Sequence, residues 1–195
     1  MIRDEIRQAR PCPLPTRGRA SCRPADTARE GMTMSATHTL NWSASLVLGD
    51  ARTDHTHQEF VDLINATTVA PAEQKLAVYR DLLNHTVEHF AMEERWMRAC
   101  GIPEDFCHFG QHASVLQVMQ EVERRALNGE PEYIASMIEA LVEWFPGHAE
   151  SMDAGLVAYL QEKGYDTTAE AFKEGAPATA DAALPSCGHE PGQAC

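Results

Sequence analysis

Between residues 53 and 163 the apolar positions recur every three or four residues, the spacing of one face of an α-helix. Phe60, Val61 and Ile64 mark the stripe of a first helix over about 53–68, with Thr53 and Asp54 as candidate N-caps. Pro71 stands where a helix begins, since its missing N–H does no harm there. A second helix follows over about 72–99, with Leu76, Val78, Leu82, His89, Met92, Glu93 and Trp96 along its inner side. Gly101 and Pro103 end it. A third runs over about 104–127 on His108, Phe109, His112, Val115, Leu116 and Met119, and Asn128-Gly129 stops it. The last long segment, about 132–163, keeps helical period through Leu141, Trp144, His148, Met152 and Leu156. Pro146-Gly147 predicts a kink or short break within it, and Gly164 closes it. Four helices with short connections predict an all-α, up-down-up-down four-helix bundle.

The flanks read differently. Residues 38–52 form a short N-terminal arm that Trp42, Leu46 and Leu48 would pack across the bundle. Residues 1–33 carry seven arginines and four prolines without apolar period. They read as a disordered tail, or as upstream sequence with Met32 or Met34 as the true start. A transit peptide is disfavoured by Asp4, Glu5, Asp26 and Glu30. Residues 165–195, rich in Ala, Pro, Gly and Thr, read as a mobile tail after a bundle spanning 34–164.

Composition narrows the function classes. A net charge of −13 argues against nucleic acid and anionic membrane surfaces as partners. No apolar run approaches the roughly 18 residues of a membrane span, and no signal-peptide core is visible. Six cysteines without a regular framework fit a reducing compartment, so a cytoplasmic protein is expected. Cys100 and Cys107 flank the turn between the second and third helices, where separate thiols are expected rather than a disulfide. Cys187, His189 and Cys195 near the C-terminus are read as incidental.

The candidate chemistry lies in nine histidines. His55 and His57 are two apart, hence roughly 200° apart around a helix. His57 shares the face of Phe60, Val61 and Ile64, while His55 falls with Gln58, Glu59 and Asp62 on the solvated face. His89 and Glu93 are four apart on one face, as are His108 and His112. An ionised carboxylate such as Glu93 in an apolar stripe is costly unless paired or metal-bound, and no Lys or Arg lies on the inner stripes. His148 and Asp153 are five apart, which is not one clean helical face, so Asp153 needs a local distortion or a reach between two metals. His85, one turn before His89, is either a supporting residue or simply at the bundle end. Five inward His and two inward carboxylates are too many for one ion and divide naturally between two. Imidazole and carboxylate without thiolate suit Fe, Mn, Zn or Cu rather than an iron–sulfur cluster.

With these residues placed, the chain resembles the hemerythrin family in its bacterial single-domain form. The matching pieces are THQEF around His57, HFAMEERWM from His89, HFGQH from His108 and WFPGHAESMD from Trp144, within about residues 42–163. The resemblance implies an oxo- or hydroxo-bridged diiron centre. One iron would take His108, His112 and His148, the other His57 and His89, with Glu93 and Asp153 bridging. It implies reversible O2 binding, for carriage, storage or scavenging, and small-anion binding at the iron with fewer histidines. The alternatives are a diiron enzyme of peroxidase-like or nitric-oxide-reducing activity, or an oxygen or iron sensor. Ala149 departs from the aliphatic residue usual after the ligand His, and a smaller side chain there would loosen the pocket. Oligomeric state is not legible.

Overall fold

The structure is a computed structural model and describes residues 39–176. Four long helices close into a bundle: α1 (Ala51–Val69), α2 (Ala72–Ala99), α3 (Cys107–Leu127) and α4 (Glu132–His148). Each packs on its sequence neighbour, and α1 closes the ring against α4. After α4 a π-helical turn (Ala149–Asp153) leads directly into α5 (Ala154–Glu162). Among the described residues no helix is long and apolar enough to cross a membrane. The tail readings for 1–33 and 177–195 lie outside the described residues.

Helix starts differ from the sequence reading. The N-cap of α1 is Asp50, whose Oδ1 accepts from the Thr53 amide at 2.9 Å and from its hydroxyl at 3.0 Å. Asp54, read as a candidate cap, instead accepts from the amides of Leu48 and Gly49 and braces the incoming chain. The start of α3 falls three residues later than expected. Residues 103–106 are used in a turn closed by Phe106 N–H to the Pro103 carbonyl.

The arm packs through two of the three residues expected, while half-buried Leu48 lies outside both apolar clusters. Leu46, in a short 3-10 turn (Ala44–Leu46), is buried, and Trp42 lies against the core. The Asn65 side chain exchanges two hydrogen bonds with the Leu40 backbone.

Residues 165–176 are not the start of a loose tail. Gly164 turns the chain with φ 67°, and β1 (Tyr165–Asp166) pairs antiparallel with β2 (Ala171–Phe172). Tyr165 is buried, the Thr167 hydroxyl donates to Asp50 Oδ2 at 2.7 Å, and Arg95 binds Glu170 bidentately. Two-residue strands are too short to show a period in sequence, and their anchors are distant in the chain. Cys100 is a free thiol and Cys107 is disulfide-bonded, so the two do not pair, though Cys107 is not the separate thiol expected.

Two apolar clusters fill the bundle. The larger contains Phe60, Leu82, Phe90, Val115, Leu141 and Phe145; the smaller contains Met92, Trp96, Phe109, Leu156 and Tyr165. Polar residues interleave along the helices that carry both clusters: His89 directly precedes Phe90 of the larger cluster and stands three residues before Met92 of the smaller, and His112 falls between Phe109 and Val115.

Candidate metal centre

The seven side chains singled out in the sequence converge inside the bundle, all buried. α1 contributes His57, α2 His89 and Glu93, α3 His108 and His112, α4 His148, and the π turn Asp153. His55 points away, exposed and paired with Glu59 at 3.4 Å. The π turn resolves the five-residue spacing of His148 and Asp153. A straight α-helix would put them about 140° apart, whereas the wider turn brings both to one face, as π turns at functional sites do.

The two carboxylates share out their oxygens in a consistent way. Glu93 Oε1 stands 3.0 Å from His89 Nε2 and 3.9 Å from His57 Nε2. Its Oε2 stands 3.3 Å from His112 Nε2 and 3.5 Å from His108 Nε2. Asp153 Oδ2 faces His57 Nε2 at 3.2 Å, while Oδ1 faces His108 at 3.1 Å and His148 at 3.2 Å. Each carboxylate thus turns one oxygen to a two-histidine set and the other to a three-histidine set. Two overlapping groups of donor atoms result: Glu93, His108, His112, His148 and Asp153, and His57, His89 and Glu93.

Surrounding residues orient the imidazoles. The Gln111 side-chain oxygen can only accept, so His148 Nδ1, 3.0 Å away, carries the proton and Nε2 offers its lone pair inward. Phe90 stacks on His112 at 3.8 Å between centroids, and Trp144 on His148 at 4.2 Å. Phe145 sets its edge against His57. Helical period alone does not mark Gln111 as a site residue; its place in HFGQH between two inward histidines is the only signal the sequence carries for it.

Burial alone would push the Glu93 carboxyl up, and the neighbouring Asp153 charge adds to that. The imidazoles of His89 and His112 outweigh both and hold it well below the usual range. Asp153 is likewise held down against burial by His148, His108 and His57. Burial lowers His148 to about 4 against the pull of Asp153. For His57 and His112 the carboxylates win over burial and raise the value. Both carboxylates therefore stay ionised in the core. Even so, His57, His108, His112 and His148 Nε2, Glu93 Oε2 and both Asp153 oxygens lack a hydrogen-bond partner. Buried polar atoms left unmatched cost about 1–3 kcal/mol each, so this inward-facing set calls for cations. Its nitrogen and oxygen donors fit borderline transition-metal ions.

The model of the Hemerythrin HHE cation binding domain family matches residues 48–160, more than half of the chain. The chain belongs to the hemerythrin family. It is 36% identical over 132 residues to Bacteriohemerythrin from Ralstonia nicotianae (strain ATCC BAA-1114 / GMI1000). That match covers 68% of this chain and 96% of the relative.

Proposed function

We propose that the seven residues hold two iron ions and that the protein binds O2 reversibly, as an oxygen carrier, store or scavenger. The observation that carries this reading is the division of each carboxylate between the two histidine sets, the arrangement two bridging ligands need. His108, His112 and His148 serve one ion, His57 and His89 the other, and Glu93 and Asp153 join them. Iron at such a site supplies reversible electron exchange with O2. The rest is the work of this chain's side chains. Imidazoles that ligate a metal do so in the neutral form and would add no charge, and two carboxylates would offset part of the cationic charge, which lowers the desolvation cost of a buried centre. Gln111 keeps His148 in the tautomer that leaves Nε2 free. Phe60, Phe90, Trp144 and Phe145 keep bulk water from the imidazoles. The two-histidine side has one protein donor fewer than the other. An open position is what a ligand-binding metal keeps, so O2 and small anions bind on that side.

The test is iron analysis followed by optical spectra of the purified protein, anaerobic and then aerated. Two irons per chain and a visible band that appears with air and disappears on deoxygenation are expected. Irreversible conversion to a ferric form on first aeration would overturn oxygen carriage and favour a diiron enzyme or sensor.

A further inference from the structure

A cavity of about 380 Å³ opens between α1 and α2 beside the two-histidine set. His89, itself one of that set, forms part of its wall. Its floor is buried Thr56, His89 and Met92; its exposed rim includes Arg52, Glu59, Glu88, Ala91 and Arg95. Half-buried His85 stands one helical turn before His89, with ring centroids 6.1 Å apart. His85 Nε2 lies 3.1 Å from the Thr56 backbone carbonyl, which can only accept, so His85 donates across from α2 to α1. The same imidazole stacks on Phe60 at 6.3 Å. His85 is therefore a bar across the gap between the two helices just outside His89. On the three-histidine side, His112 is stacked by Phe90, His148 by Trp144, and Gln111 is bonded to His148.

We propose that the α1–α2 cavity is the entry route for small ligands and that His85 is its gate. The inference rests on the functional reading above, since it takes the two-histidine side as the side that receives ligand. Arg52 donates its Nε–H to the Met92 sulfur at 3.4 Å, so two polar side chains bridge the helices at the cavity, and His85 is the one whose ring stands beside His89. A ligand passing inward must displace the imidazole or wait for its hydrogen bond to Thr56 to open. Such gating acts on the barrier and not on the end states. It therefore speeds or slows entry and exit by one common factor and leaves the equilibrium constant alone.

The experiment is stopped-flow azide binding to the iron-loaded ferric full chain, comparing wild type with His85→Ala and Ala91→Trp. His85→Ala removes the bar, so azide association and dissociation should both rise by about fivefold or more with Kd unchanged within about twofold. Ala91→Trp, at an exposed rim position that tolerates bulk without disturbing the core, should slow both rates together. Normal azide binding with rates unchanged in both variants would overturn the route while leaving the functional reading intact. A changed Kd at unchanged association rate would make His85 a ligand contact and overturn its role as a gate. A wild-type protein that carries two irons yet binds no azide would overturn the open-position reading and this proposal with it.

Discussion

Replacing His57 and His55 separately gives the most discriminating check on the site. The two residues sit two positions apart on α1, yet His57 is fully buried and His55 stands in solvent. His55→Ala removes one exposed contact to Glu59, and exposed pairs of this kind contribute about 0–0.5 kcal/mol. His57→Ala removes the imidazole that faces Asp153 Oδ2 at 3.2 Å and Glu93 Oε1 at 3.9 Å. Four-ligand structural metal sites bind with about 10–16 kcal/mol, so one ligand is worth about 3 kcal/mol, or roughly 100-fold in affinity. Two buried carboxylate oxygens also lose their neighbour, and stripping one partner from a buried charge pair costs about 3–5 kcal/mol. The expected outcome is a His57→Ala protein with reduced iron per chain and a melting temperature lower by ten degrees or more, the order these energies imply for a domain of this size. Added imidazole, filling the vacated space, should restore part of the iron. His55→Ala should match wild type in both measurements. Equal iron loss in the two variants, or loss confined to His55→Ala, would refute the assignment of the α1 inner face.

Three further outcomes follow from the geometry. Gln111→Leu removes the acceptor that fixes the His148 tautomer, and iron affinity by competition with a chelator should fall about 10–100-fold. Deleting Ser151 shortens the His148–Asp153 spacing to four, which a plain α-helix places about 40° apart. Iron content should survive that deletion, and its loss would mean that the π turn does more than absorb one extra residue. Buried Tyr79 donates to the Met119 carbonyl at 2.8 Å, and burial, with Glu123 adding to it, pushes its phenol above the usual value. The neutral phenol's contribution is full below about pH 10, the unfolded value, and is lost as pH rises toward the folded one. Tyr79→Phe should cost about 1 kcal/mol at neutral pH. Chemical denaturation should then show that gap closing by up to about 1.4 kcal/mol per pH unit above pH 10.

Much of the bundle was legible because helix periodicity is a local property. Phe60, Val61 and Ile64 assign His57 to the inside and His55 to the outside without knowledge of any other helix, and the structure places them so. The same holds for His89 with Glu93 and for His108 with His112, which the four-residue spacing already put on common faces. Asp153 marked the limit of that reasoning. Five residues from His148 is a conflict in an α-helix, and only the backbone decides that a π turn settles it. Helix starts moved for a related reason: Asp50 won the cap of α1 because Asp54 was drawn to the amides of Leu48 and Gly49. The terminal hairpin was invisible because its anchors, Arg95 to Glu170 and Asp50 to Thr167, join segments 75 and 117 residues apart. Which oxygen of Glu93 faces which histidine, and that His85 bridges to Thr56 beside a cavity, depend on how α1, α2 and α3 lean together. Spacing along one helix says which way a side chain points; only packing between helices decides what it meets there.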